Sequence, residues 1–403
     1  MATEFLPGNR LTLLNSGEQY FPALLAAIEA ASIEIYLESY IFADDEIGHE
    51  VTGALCRAAA RGVQVNVTVD GFGGRNFSTD FLPRLTSAGV RAMVYRPEIG
   101  RFHMRRHRLR RLHRKLVVID AAIAFVGGIN IVDDHNAPPN MSPRYDYAVR
   151  IEGPTVWQVH HAVRRMWEIV AWVNFKRRFR LAPHVRAPRA DAGNQAATLL
   201  IRDNIRHRND ILHAYIEAID AAREEILIAN AYFLPGIRFA RALQAAARRG
   251  VKITILLQGK TDHPLLRFAT QALYAAALAI GIRIFEYEKS FMHAKVAVID
   301  GQWATVGSSN IDPFSLLLAK EANLVVNDGV FAGELRASIH DAMAGGAREM
   351  RDAELSSQPW HSHFMRWLSY GLVRLMVGLT GYGPKHWRAD EETPGLSPDS
   401  PAK

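Results

Sequence analysis

Apolar positions along this chain follow two rhythms that alternate. Segments such as YFPALLAAIEAA (20–31) and ILHAYIEAIDAA (211–222) repeat their apolar residues at helical spacing. Each is followed by a short, nearly continuous apolar run, IEIYLESYIF (33–42) and EILIANAYF (225–233), of the kind that forms a strand buried on both faces. AARGVQVNVTVD (59–70) and AARRGVKITILL (246–257) each predict a helix end, a glycine cap and another buried strand. GVRAMVYRP (89–97) and GIRIFEYEK (281–289) add a third strand to each half. The chain is therefore written twice. Its helix–strand alternation predicts an α/β fold, with each half an α/β sandwich built on a mixed, largely parallel sheet flanked by helices.

The sharpest part of the repeat is HRKLVVID (113–120), which returns 180 residues later as HAKVAVID (293–300). On a strand, residues two apart share a face, so His113 and Lys115 point one way, as do His293 and Lys295. Asp120 and Asp300, five residues beyond each lysine, fall on the opposite face at the strand end, where they hold the following turn. Asp120-Ala121-Ala122 and Asp300-Gly301-Gln302 predict hairpin turns, the second having the better turn chemistry. Return strands then end in FVGGIN and TVGSSN. A histidine moves protons near neutral pH and serves as a nucleophile; a lysine neutralises phosphate oxygens. One such string alone reads best as a core strand with a satisfied histidine. Two at equivalent points of a duplicated fold read as one site with two histidines and two lysines.

Composition narrows the partners. The chain has 403 residues, 49% of them hydrophobic and 22% charged, enough for a sizeable core. The formal net charge is +7, and the stretch Arg101–Lys115 holds eight Lys/Arg residues and no acid. Without that patch the balance would be −1, so an anionic partner is expected at one place. Cys56 is the only cysteine, which excludes an intrachain disulfide and fits a reducing compartment. The start shows no signal-peptide pattern, and no apolar stretch reaches bilayer length; Phe268–Ile282 comes nearest. His103, His107, His113 and the pair His160-His161 lack a closed zinc-ligand spacing, so no metal and no cofactor is expected.

The two strings, each fitting HxKxxxxD followed by G[GS]xN, resemble the phospholipase D superfamily over roughly residues 10–345. YLESYIF, FVGGIN and VRIEGP are most similar to bacterial cardiolipin synthases of the short type without N-terminal membrane spans. That resemblance implies two tandem phospholipase D-like halves about a pseudo-two-fold axis: 1–180 and 197–350, joined by a linker at 181–196. It implies metal-independent phosphatidyl transfer through a phosphohistidine, with the six motif residues His113, Lys115, Asp120, His293, Lys295 and Asp300 at the catalytic centre. It also implies that Lys115, Lys295, Asn130 and Asn310 hold the phosphate, and that an acid from each half orients a histidine, often the one in the other half. Asp146 and Glu321 are the candidates. Counted back from Gly153 and Gly329 they lie seven and eight residues away, so they do not align and Glu321 is the better placed. The plainer readings are strand-end carboxylates for the acids and turn caps for the asparagines.

The motif chemistry serves lipid and nucleic-acid phosphodiesters alike. The segment 351–388 combines Trp360, Phe364, Trp367, Leu368, Leu372, Leu375, Met376 and Leu379 on one helical face with Arg366, Arg374, Lys385 and Arg388. This pattern suits contact with an anionic phospholipid membrane, or equally a helix packed on the body. The Arg101–Lys115 patch has a single aromatic, Phe102, to stack on bases, which favours lipid headgroups over nucleic acid. Residues 389–403 have a disordered composition. The expectation is a cardiolipin synthase bound peripherally on the cytoplasmic side of the membrane, with phosphatidylglycerol as acceptor and one chain sufficient for one site. A phospholipase D or nuclease-type phosphodiesterase is the alternative.

Overall fold

A computed structural model describes residues 3–97, 110–138, 140–174, 190–204, 206–260, 264–312, 315 and 319–351, with positions 365, 368, 369, 371 and 372. The first half holds β1 (Leu6–Asn15), β2 (Glu34–Ser39), β3 (Gln64–Asp70), β4 (Arg91–Tyr95), β5 (Leu116–Ile119), β6 (Ile123–Gly127), β7 (Arg144–Tyr145) and β8 (Tyr147–Glu152). The second holds β9 (Gln195–Arg202), β10 (Glu225–Asn230), β11 (Lys252–Gln258), β12 (Arg283–Tyr287), β13 (Phe291–Met292), β14 (Lys295–Ile299), β15 (Trp303–Gly307), β16 (Glu321–Asn327) and β17 (Ala347–Glu349).

Fifteen of these strands form one sheet, in the order β17-β12-β11-β10-β14-β15-β16-β9-β1-β8-β6-β5-β2-β3-β4. The two halves read outward from the central β9–β1 seam in matching order. The sheet is mixed, but its balance differs from the expected one. Only β2–β3–β4 and β10–β11–β12 run parallel; every other neighbouring pair in this sheet is antiparallel. The physical reason is connection length. Helical crossovers follow β2 and β10, whereas the motif strands β5 and β14 turn straight back through tight hairpins, and such short links allow only antiparallel pairing. Those hairpin turns have positive φ at Asp120 and Ala121 (both 51°), and at Asp300 (50°) and Gly301 (60°). Ala121 thus adopts the backbone that Gly301 takes freely.

Strand alternation sorts the core. Leu116 and Val118 of β5, with Val296 and Val298 of β14, pack into a cluster shared by both halves, where the inner faces meet. The helices Val156–Val173 and Gly329–Gly346 contribute Trp167 and Phe331 to it. Val117 and Ile119 face the other way, under the helices Ser16–Ala30 and Glu46–Ala60. Ala297 and Ile299 do the same under Asp210–Ala221 and Ile237–Arg248. The motif strands are therefore buried on both faces, which is why their sequence is a continuous apolar run. β9 begins at Gln195, inside the expected linker; 181–189 of that linker lie outside the described residues. The basic residues 98–109 and the tail beyond 372 also lie outside them.

Candidate active site

Neither motif histidine is on its strand. β5 begins at Leu116 and β14 at Lys295, so His113 and His293 sit on the approach to each. Each approach is pinned to the opposite half. The His113 N–H donates to the Lys320 carbonyl at 2.9 Å, and the His293 N–H to the Tyr145 carbonyl at 2.7 Å. Behind the second contact, β13 pairs in parallel with β7; behind the first, Leu112 bridges Lys320 in parallel.

This backbone register delivers an acid to each ring. The residue after Lys320 is Glu321, whose carboxylate lies 3.0 Å from His113 Nδ1. The residue after Tyr145 is Asp146, whose carboxylate lies 2.7 Å from His293 Nδ1. The sheet also removes the apparent misalignment of these acids. Gly127 pairs with Ala148 and Gly307 with Asn323, so each acid stands two residues before the partner of an equivalent glycine. The glycines Gly153 and Gly329 are unequal landmarks: Asp328 caps the helix Gly329–Gly346 by accepting from Phe331 N–H at 2.8 Å, and supplies the extra residue. Asp146 is as well placed as Glu321.

A ring whose Nδ1 faces a carboxylate keeps its proton there, which leaves Nε2 available as an acceptor. The histidine side chains are 16% and 17% exposed, while Glu321 behind His113 is fully buried. Lys115 Nζ donates to the His113 carbonyl at 2.7 Å, and Lys295 Nζ to that of His293. Lys295 also lies 3.6 Å from Asp146. Tyr40 sets its ring 4.7 Å from that of His113 and lies under the Lys115 ammonium at 5.3 Å.

Electrostatics tie the cluster together. Burial pushes His113 below its ordinary value; Glu321 pulls it up, and Lys115 opposes that pull. Burial, then Lys295, Lys115 and His113, holds His293 well below its ordinary value. Burial brings Lys115 down to about 7 and Lys295 to about 8, against the pull of the carboxylates. Burial raises Asp146 to about 6, with Lys295 opposing. Buried cations held this far below their usual range gain most from an anion that restores their charge.

The halves differ in how each acid is supported. Ser308 donates its hydroxyl to Glu321 at 2.5 Å. Its counterpart is Gly128, where a Cβ would stand 2.3 Å from Asp146 Oδ1. The shorter acid thus occupies the space a side chain would need. GGIN and GSSN in the sequence carry this signal, as YLESYIF carries Tyr40, but neither role is readable without the contacts.

The asparagines lie at the same end of the sheet. Asn130 Oδ1 accepts from Ile41 N–H at 3.0 Å, so it holds a loop. Asn310 is equally buried; its amide reaches Ser315 Oγ at 3.5 Å, and its oxygen has no partner among the described residues. Asp120 and Asp300 are not brought to the site. Asp120 accepts from the backbone N–H groups of Ser32, Ile33 and Glu34, and Asp300 from those of Arg223, Glu224 and Glu225. This corrects their inclusion with the catalytic centre: their strand parity and the αL turn aim them at the far end. His160 sits 2.7 Å from Glu34 in a buried pair; His103 and His107 lie outside the described residues.

A duplicated α/β body with a histidine–lysine pair from each half at one cluster is the architecture of the phospholipase D superfamily. The chain belongs to the family described as "Cardiolipin synthase, PLD-like domain", whose model matches residues 24–167 and 215–343. It is 39% identical over 396 residues to cardiolipin synthase B of Escherichia coli strain K12, covering 96% of this chain and 93% of that one. Identity to cardiolipin synthase A of Pseudomonas aeruginosa is 31% over 339 residues, 84% of this chain and 67% of the other. Among solved structures, phosphatidylserine synthase from Haemophilus influenzae superposes with a TM-score of 0.67 at 13% identity, covering 92% of this chain and 96% of that one, a likeness of fold.

Proposed function

We propose that this chain is a cardiolipin synthase that joins phospholipids through a covalent phosphatidyl-histidine. The observation that carries the reading is the near full-length match to cardiolipin synthase B, 39% identical across 96% of this chain. Nothing in that match is offset by a lost motif residue: His113, Lys115, His293 and Lys295 are all in place.

The cluster supports the chemistry in two balanced steps. Nε2 of one histidine attacks the phosphorus of phosphatidylglycerol; a P–N bond forms and the P–O bond to glycerol breaks. The other histidine gives its proton to the departing glycerol oxygen. That histidine then takes a proton from the headgroup hydroxyl of a second phosphatidylglycerol, whose oxygen attacks the same phosphorus. The P–N bond breaks, cardiolipin leaves, and the first histidine is restored. Lys115, Lys295, Asn130 and Asn310 offset the charge on the transferred group, the lysines regaining full protonation beside it. Glu321 and Asp146 hold the rings and stabilise whichever is imidazolium.

Such a substrate calls for a peripheral protein on a phospholipid surface, on its cytoplasmic side. Among the described residues no helix is long and apolar enough to cross a membrane. In the tail, Met365, Leu368 and Leu372 are exposed at helical spacing while Ser369 is turned inward. An outward apolar stripe of this kind supports lipid contact.

The reading is tested by incubating the protein with phosphatidylglycerol in mixed micelles containing a chelator, with single-stranded DNA offered in parallel. Cardiolipin and free glycerol in equal amounts are expected; phosphatidic acid alone, or cleaved DNA without a lipid product, would overturn it.

A further inference from the structure

We propose that Asp70 and Gln258 are equivalent positioning residues, each fixing its own half's histidine by gripping the peptide immediately before it. The inference deepens the reading above and concerns the same site. β3 ends at Asp70 and β11 at Gln258, and the ladders place these ends at matching points: Gln64 stands beside Glu34 as Lys252 stands beside Glu225. Asp70 Oδ2 accepts from the Leu112 N–H at 2.9 Å. Gln258 Oε1 accepts from the Met292 N–H at 2.7 Å. Leu112 and Met292 directly precede His113 and His293. Asp70 is fully buried and Gln258 nearly so.

Successive peptides on each approach are thus tied to different halves. The residue before the histidine donates to its own half's third strand; the histidine donates to the other half, through Lys320 or Tyr145. Neither histidine belongs to a regular strand, so these two bonds replace the ladder that would otherwise fix it. Loss of the first leaves a buried N–H without a partner and frees the histidine to leave its carboxylate. Misplacement of a reacting group by about 1 Å costs on the order of 100-fold in rate.

The two grips differ in chemistry. Asp70 accepts with both oxygens: Oδ1 takes the Phe72 N–H at 2.8 Å, and Arg111 lies 3.8 Å away. An asparagine there would turn one N–H donor toward another. Gln258 uses both ends of its amide, its Nε2 donating to the Lys260 carbonyl. A glutamate there would set an oxygen against that carbonyl.

The test uses the full-length protein carrying Asp70→Ala, Asp70→Asn, Gln258→Ala or Gln258→Glu. Imidazole resonances of His113 and His293 are titrated by NMR without substrate, so the result does not depend on the cardiolipin reading. Asp70→Ala is expected to move the His113 titration toward that of a free histidine and leave His293 in place; Gln258→Ala is expected to do the reverse. Where lipid turnover is measured, kcat falls about 100-fold with KM nearly unchanged, and Asp70→Asn retains more activity than Asp70→Ala. Should an alanine variant fail to fold, the Asp70→Asn and Gln258→Glu pair carries the same half-specific test. Equal shifts of both histidines, or unshifted histidines in a folded variant, would overturn the proposal.

Discussion

His113 and Glu321 meet across the two halves, Nδ1 to carboxylate at 3.0 Å, although 208 residues separate them in the chain. His293 and Asp146 form the same contact in the opposite direction at 2.7 Å. Each half therefore supplies a histidine to the site and an acid to its neighbour's histidine, and neither half holds a complete unit. Glu321→Gln and Asp146→Asn keep a polar group beside each ring but remove the charge that selects its tautomer. Each is expected to lower kcat by about 10³-fold or more with little effect on KM. Steady-state assays of cardiolipin formation check this; a loss confined to KM would show that the acids serve substrate binding instead.

The unequal support of the two acids gives a paired prediction. Gly128→Ala puts a methyl group where Asp146 Oδ1 stands, 2.3 Å away, and should displace that acid from His293. Activity should fall nearly as far as in Asp146→Asn. Ser308→Ala removes one hydroxyl donor from Glu321 but leaves its place open, so a loss of about tenfold, equivalent to about 1.4 kcal/mol, is expected. The reverse ranking in a turnover assay would mean that the hydroxyl, not the space, is what the second half requires.

The acid limb of the pH–rate profile should report Asp146. Burial raises this carboxyl from 3.8 to about 6, so below about 6 it is protonated and no longer accepts the His293 Nδ1–H as a charge. The sign for stability is opposite. A raised carboxyl contributes stability that is complete below 3.8 and is lost as pH rises through about 6. Turnover should therefore decline between about pH 6 and 4 while this group costs the fold nothing. Activity and intrinsic fluorescence measured on the same samples separate the two, and parallel loss of both would contradict the assignment.

Asp120 should affect folding and leave chemistry alone. Burial pushes its carboxyl up, but the backbone N–H groups of Glu34, Ser32 and Ile33 pull it below the ordinary value. Its contribution is present above 3.8 and is lost as pH falls through the depressed value. Asp120→Ala leaves those three donors without their carboxylate and is expected to cost about 2 kcal/mol by urea unfolding at neutral pH. The kcat of the folded fraction should stay within twofold. A large fall in kcat would return Asp120 to the catalytic group.

Much of this was readable from the chain because duplication exposes function: one HxK string on a buried strand is ambiguous, and two at matching points are not. The same comparison failed where the halves diverge. Asp146 and Glu321 looked misaligned because glycines served as landmarks, and the second half inserts the cap Asp328 just before its glycine. Asp70 and Gln258 escaped notice because they share a position and a bond without sharing a side chain. Strand direction has no such signal, since apolar runs report burial on both faces and not which neighbour a strand pairs with. The backbone bonds behind the cross-half contacts have no local signature: they depend on Lys320 and Tyr145 accepting from the histidine peptides, a tertiary register.

The most direct test of a two-histidine mechanism is cardiolipin formation from phosphatidylglycerol in the presence of a chelator, measured for the native protein, His113→Ala and His293→Ala, with intact-mass analysis of the quenched enzyme. The native protein should form cardiolipin and release glycerol, and both variants should lose at least about 10³-fold in rate. A phosphatidyl adduct should be detectable on the chain only when the attacking histidine is present. Cardiolipin formed at an undiminished rate by either variant would contradict the mechanism.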